Sequence, residues 1–142
     1  MPDRVTDACE ACYDAHTGDC SGFVKAVAAT LDVTVEGNAD QMVDILRSGE
    51  GGWTVVTGGP AAAAAAAAGK LVVGGLKGAE QTTPNPHGHV VVVVPGPLAR
   101  NAYPTAWWGS LGGQPGKNQT INYAWVAGDR DRVSYAAHDI AV

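Results

Sequence analysis

The feature that most constrains the fold is a run of five valines in the stretch "GHVVVVVPGP", which glycine and proline bound on either side. A β-branched run that is apolar nearly throughout is typical of a strand buried on both faces. The stretches "KLVVGGL", "YPTAWWGSLGG", "QTINYAWVAG" and "DRVSYAAHDI" indicate further strands. The part of the chain after Lys70 is therefore predicted to form a sheet.

The part before Lys70 has helical periodicity instead. "VTDACEACYDAH" predicts a helix that ends at Gly18, and "CSGFVKAVAATL" predicts a second helix with Cys20 in its first turn. "GNADQMVDILRSG" predicts a third helix with Asn38 as its N-cap, and "GGPAAAAAAAAGK" predicts a short helix that starts at Pro60. Helices followed by strands indicate an α+β fold in which N-terminal helices pack on an antiparallel sheet.

The 142 residues suit a single catalytic domain spanning 1–142, since no linker divides them and the stretch from Thr83 to Gly88 is expected to be a loop. The net charge is −5, and the nine Lys and Arg residues are scattered. We therefore expect no nucleic-acid binding. No apolar stretch is long enough to span a membrane and the N-terminus does not resemble a secretory signal, so we expect no membrane insertion.

The three cysteines are too few for a disulfide framework, and an odd number predicts at least one free thiol. Cys20 is the candidate, because it lies at a predicted helix start beside Gly18 and Gly22. The positive end of a helix and a nearby imidazole both favour a thiolate. His89, where a loop enters the valine strand, could accept the thiol proton and return it to a leaving amine.

Several alternatives compete with this interpretation. His87 lies two residues from His89 and is a second candidate base. A zinc site is also conceivable, because Cys9, Cys12, His16 and Cys20 are spaced by three, four and four residues. Gly18 argues against this site, because it breaks the helix before Cys20.

The sequence contains four tryptophans and one phenylalanine. The adjacent Trp107 and Trp108 must point to opposite faces if they lie on a strand, so one of them could line a cleft.

The stretches "DCSGFVKAVAATLDV", "GNADQMVD", "VVGGLKG", "GHVVVVVPGPL", "YPTAWWGSLGG" and "DRDRVSY" occur in this order along most of the chain. Together they resemble the type VI secretion amidase effector family 1. The resemblance implies a papain-like, NlpC-type cysteine peptidase fold. It also implies that the nucleophile is Cys20 and that the general base is His89 rather than His87.

The same resemblance implies a function. Members of the family are similar to DL-endopeptidases that hydrolyse the bond between D-glutamate and meso-diaminopimelate in peptidoglycan stem peptides. An antibacterial toxin of this kind is made in the cytoplasm, secreted without a signal peptide by the type VI apparatus, and acts in the periplasm of the target cell. A periplasmic immunity protein would protect the producer, and neither a metal nor an organic cofactor is expected.

Around the catalytic pair we expect substrate contacts from Asp19, Gly88, Trp108 and Ser110. Asp19 is also expected to cap the helix. No carboxylate or amide is evident to orient His89, so a main-chain carbonyl near Trp108 or Gly109 is the expected substitute.

Three alternative functions follow from the same residues. The first is cysteine-dependent cleavage of the D-alanyl–diaminopimelate crosslink or of another amide, and the second is a non-enzymatic, zinc-stabilised interaction module. The third is a housekeeping cell-wall hydrolase.

Overall fold

The computed structural model describes residues 3–84, 86–110 and 113–140, and these form an α+β fold around one antiparallel sheet. The helices are α1 (Arg4–Tyr13), α2 (Cys20–Thr30), α3 (Ala39–Ser48) and α4 (Gly59–Ala67). The strands are β1 (Thr54–Val56), β2 (Leu71–Leu76), β3 (His89–Val93), β4 (Thr105–Trp108), β5 (Gly116–Thr120) and β6 (Ser134–His138). Their order across the six-stranded sheet of the described residues is β1-β6-β2-β3-β4-β5, and each neighbouring pair is antiparallel.

The first four valines of the run lie in β3, one of the two middle strands of the sheet, and they are buried on both faces as their composition predicts. Val90 and Val92 pack with α1, α2 and α3 in one apolar cluster. Val91 and Val93 face the other side of the sheet, where Ala62 of α4 packs. Because successive side chains of a strand point to opposite faces of the sheet, the valines pack in two separate cores.

The two adjacent tryptophans of β4 follow the same rule. Trp107 belongs to the cluster beneath the N-terminal helices, whereas Trp108 belongs to the cluster on the α4 side. The prediction that they point to opposite faces is confirmed.

Local signals account for the helix ends. Asn38 caps α3 by accepting a hydrogen bond from the Gln41 N–H at 2.9 Å, and the Gln41 side chain accepts one from the Asn38 N–H at 2.9 Å. Gly49 ends α3 with a φ of 76°, which suits glycine. Pro60 lies in the first turn of α4, as predicted. The first helix, however, ends at Tyr13, five residues before the predicted Gly18.

Two parts of the sheet differ from the sequence-based expectation. The strand predicted over 119–128 continues only to Thr120, after which Ile121–Tyr123 form a 3₁₀ turn. The turn brings Trp125 back so that its main-chain N–H donates to the Ile121 carbonyl at 3.2 Å. The edge strand β1 was not predicted, because it is short and mostly exposed, so it lacks an apolar pattern.

The described residues of 83–88 form a loop without regular secondary structure, as predicted. Within residues 3–84, 86–110 and 113–140, none of the helices has the length and apolar character that crossing a bilayer requires.

Candidate active site

The loop between α1 and α2 is fixed against the end of β4. A Cβ atom on Gly109 would lie 2.1 Å from the His16 carbonyl oxygen and 2.6 Å from that of Asp19, so only glycine fits there. The Ser110 N–H also donates to the Thr17 carbonyl at 2.9 Å. Cys20 then begins α2 directly after this loop, so the sheet determines where the thiol lies.

The Cys20 thiol contacts the main chain on both sides of His89. Its Sγ atom donates a hydrogen bond to the Gly88 carbonyl at 3.8 Å. Backbone N–H groups of Val90, Ser21 and Cys20 itself point at the same sulfur. The structure thus brings the predicted nucleophile next to the start of β3.

Burial raises the pKa of the Cys20 thiol, and the nearby Asp19 carboxylate raises it further. The three backbone N–H groups oppose this effect without cancelling it. The N–H groups at the helix start do favour the thiolate, as expected, but desolvation of the sulfur outweighs them, so the pKa of the thiol in the free protein is raised overall.

His89 is the first residue of β3 and lies opposite Leu76 of β2. Its imidazole packs edge-on against two indole rings, with centroid distances of 5.1 Å to Trp125 and 6.4 Å to Trp108. Burial lowers the pKa of His89 from 6.5 to about 4. The imidazole is therefore neutral at pH 7, which is the state that can accept a proton.

The main-chain carbonyl that was expected to orient His89 is not found in the described residues, where neither ring nitrogen of His89 has a hydrogen-bond partner. The main chain of 108–110 instead holds the α1–α2 loop, as described above for Gly109 and Ser110.

Cys20 and His89 share one polar cleft of about 370 Å³. Its walls come from the α1–α2 loop, the start of α3, the segment before β3 and the segments that follow β4 and β5. The lining residues are Asp19, Cys20, Ser21, Asn38, Ala39, Asp40, Gln81, Pro86, His87, Gly88, His89, Ser110, Gly113, Ala124 and Trp125.

Three of the four predicted substrate contacts, Asp19, Gly88 and Ser110, line this cleft. Trp108 is not among the described lining residues: it is 1% exposed, and its Nε1–H donates to the Gln114 carbonyl at 3.0 Å. The structure corrects the expectation for Trp108, because its indole packs in the core behind His89 and is covered there by β5.

Asp19 occupies the N-cap position of α2, but its side chain makes no capping hydrogen bond. Its carboxylate instead accepts a hydrogen bond from the Ser21 hydroxyl at 3.0 Å. The prediction that Asp19 caps the helix is therefore wrong at the level of the side chain. The N–H groups of Cys20 and Ser21 at the start of α2 therefore receive no side-chain cap from Asp19 and point at the thiol.

His87 also lines the cleft, but it lies exposed in the loop, whereas His89 is anchored in the sheet. Sequence reasoning missed Gln81, Asp40 and Trp125 as cleft residues. No motif pointed to the first two. Trp125 carried one signal, because it is one of only four tryptophans in the chain.

The zinc alternative finds no support in the described residues, which contain no group of three or more His, Cys, Asp and Glu side chains able to hold a metal ion. Cys9 is completely buried in the core, Cys12 is half-buried, and Cys20 lies on a different helix. All three cysteines are free thiols.

The fold and the cleft define the class of protein: an α+β domain in which a thiol at a helix start and a neutral imidazole at a strand start line the same cleft. This pairing has the chemical groups needed for nucleophilic hydrolysis of an amide. No protein-family model matches the chain. The peptidoglycan amidase Tse1 of Pseudomonas aeruginosa is 40% identical to it over 148 residues, which cover 96% of this chain and 90% of that protein. The chain therefore belongs to the type VI secretion amidase effector family 1.

Proposed function

We propose that this protein is a cysteine amidase that hydrolyses the bond between D-glutamate and meso-diaminopimelate in peptidoglycan stem peptides. The observation that carries the proposal is the placement of Cys20 and His89 in one cleft, in a chain similar throughout to a peptidoglycan amidase. Two neutral groups at rest suit a mechanism in which proton transfer accompanies attack.

In the first half of the reaction, a ring nitrogen of His89 takes the proton from the Cys20 thiol while Sγ bonds to the amide carbon. The carbonyl oxygen becomes an oxyanion, which the first-turn N–H groups of α2 can stabilise; donors of this kind contribute roughly 3–4 kcal/mol in other enzymes. The intermediate then expels the amine, which takes the proton from His89, and leaves a thioester on Cys20.

In the second half, His89 takes a proton from water as the water oxygen attacks the thioester. Collapse of the second intermediate breaks the C–S bond and releases the carboxylic acid. The imidazolium then returns its proton to the Cys20 sulfur, so the enzyme ends in its starting state. The residues that carry this cycle require no metal or organic cofactor.

The family membership supports the wider biological proposal. The protein acts as an antibacterial toxin that the type VI secretion apparatus delivers into the periplasm of a target cell, and a periplasmic immunity protein binds it in the producer. The alternative bond is the D-alanyl–diaminopimelate crosslink, which the same thiol chemistry would cleave.

Mass analysis of purified peptidoglycan fragments tests the proposal. We expect the wild-type protein to yield products cut between D-glutamate and diaminopimelate. Cys20→Ala should lower the rate by more than about 10³-fold, because the nucleophile is lost. The matched control is Cys12→Ala, which removes a half-buried thiol outside the cleft and should keep the wild-type rate.

The outcomes separate the parts of the proposal. Products cut at the D-alanyl crosslink that depend on Cys20 would replace the bond and keep the mechanism. Unchanged activity in Cys20→Ala would refute the mechanism. No product from the wild-type protein would refute the amidase activity itself.

A further inference from the structure

We propose that Trp125 and Trp108 are positioning residues for His89: the two indole rings enclose the imidazole and set its orientation towards Cys20. This inference rests on the proposed function, because it assigns the two tryptophans a role in proton transfer by His89. Neither residue is proposed to contact the reacting atoms.

The ring geometry is the first step of the argument. The imidazole of His89 lies edge-on to both indoles, with interplanar angles of 67° to Trp125 and 86° to Trp108. Edge-to-face contacts of this kind are favourable and directional. Two such walls restrict rotation of the imidazole about its own side-chain bonds, so they can orient the ring without a hydrogen bond to its nitrogens.

The indole of Trp108 is itself held firmly. Its Nε1–H donates to the Gln114 carbonyl at 3.0 Å, and the ring is 1% exposed. A Cβ atom on Gly116 would lie 2.3 Å from two atoms of the indole, so glycine at this position leaves the space that the ring fills. β5 therefore fixes Trp108 from behind, and Trp108 in turn contacts His89.

The main chain that carries Trp125 is held by the turn after β5. The main-chain N–H of Trp125 donates to the Ile121 carbonyl at 3.2 Å, and Ile121 is fully buried. The indole itself packs in the apolar cluster on the α4 side of the sheet. Four residues further along, the buried Asp129 carboxylate accepts two hydrogen bonds from Thr82, one from the N–H and one from the hydroxyl, each at 2.7 Å. These bonds join the segment that follows Trp125 to Thr82, which precedes the loop before β3.

The enclosure also reduces the exposure of the imidazole to water, and His89 is half-buried where it lines the cleft. Burial is the cause that lowers the pKa of His89 to about 4. The other titratable groups that line the cleft are Asp19, Cys20, Asp40 and His87, and none of them is a cause of the shift. Removing one indole should therefore hydrate the ring and raise this pKa.

The protein contains a matched control for the test. Trp53 is 3% exposed and packs edge-on against His138 with a centroid distance of 5.1 Å and an angle of 72°, which closely match the values for Trp125 and His89. Trp53 does not line the cleft. Trp125→Leu and Trp53→Leu therefore remove the same chemical group from similar contacts, one at the candidate site and one outside it.

For Trp125→Leu we expect kcat on peptidoglycan fragments to fall by about 10- to 100-fold with a much smaller change in KM, because the base is misplaced while the other residues that line the cleft remain. The pKa of His89, followed by NMR of the imidazole, should rise from about 4 towards 6.5. Trp53→Leu should lower the melting temperature about as much as Trp125→Leu does, but it should leave kcat and the pKa of His89 at their wild-type values. Trp125→Phe, which keeps a ring edge beside His89, should recover much of kcat.

Wild-type kcat and an unchanged His89 titration in Trp125→Leu would overturn the inference, as would an equal loss of kcat in Trp53→Leu. Failure of the proposed function has a different signature: the wild-type protein itself would not cleave the fragments, while the His89 titration could still be compared between the variants.

Discussion

At the scale of single residues, the candidate dyad is a pair of neutral groups at rest. Burial raises the pKa of Cys20 and lowers that of His89. Both shifts act against a thiolate–imidazolium ion pair, because each disfavours the charged form of its group. In the proposed mechanism, the sulfur becomes a strong nucleophile only when a substrate carbonyl arrives and His89 takes the proton.

This protonation state predicts how Cys20 reacts with iodoacetamide. A thiol with a raised pKa is protonated at pH 6 to 9, so its alkylation rate should rise about tenfold per pH unit across this range. Mass analysis of the labelled peptide separates Cys20 from the half-buried Cys12. A rate that levels off below pH 7 would contradict the prediction, because it would reveal an ion pair at rest.

At the scale of structural elements, the contact between β4 and the α1–α2 loop determines where the nucleophile lies. In Gly109→Ala the added methyl group would collide with the His16 carbonyl, so the loop must move. We expect a loss of about 1–3 kcal/mol in the free energy of unfolding and a lower kcat, measured by denaturant titration and fragment cleavage. Gly18→Ala is the control from the same loop, because nothing lies within 4 Å of its Cβ position. If both variants behave alike, the loop does not depend on this close contact.

The sequence predicted the elements with strong local signals and missed those that tertiary contacts define. The capped helix α3 and the doubly buried β3 follow from residues near one another in the chain. The turn that carries Trp125 does not follow from neighbouring residues. Ile121 and Trp125 also fit the pattern of an apolar strand, and only packing against β4 distinguishes the turn from the strand. The contacts of His89 with Trp108 and Trp125 could not be predicted either, since ring contacts between residues distant in the chain produce no sequence motif.

At the scale of the whole molecule, one buried carboxylate joins two distant segments. Asp129 is 3% exposed and binds Thr82 and Arg132. Burial raises the pKa of Asp129, but hydrogen bonds from Thr82 and Arg132 outweigh it and hold the pKa below its usual value. The stabilisation is therefore present at neutral pH and is lost as the pH falls through the lowered pKa.

Replacing Asp129 tests this connection. Asp129→Ala should lower the free energy of unfolding by about 2 kcal/mol at pH 7, because the Thr82 N–H loses its acceptor, and the difference from wild type should shrink in acid. Asp139→Asn is the control, since it removes a carboxylate from an exposed ion pair with Lys70 and should leave the melting temperature unchanged. Equal stability of Asp129→Ala and wild type at pH 7 would show that the two segments hold their positions without the carboxylate.

The hydrogen bond from the Cys20 sulfur to the Gly88 carbonyl spans 68 positions of the chain. Helix α2 can form from local interactions soon after folding begins, but the thiol meets its strand only when β3 has paired in the sheet. Contacts of such long range are made late, because closing the intervening loop costs entropy before the contact is gained. An unfolded or partly folded chain therefore lacks the contact between Cys20 and the start of β3, and the proposed chemistry depends on the last steps of folding.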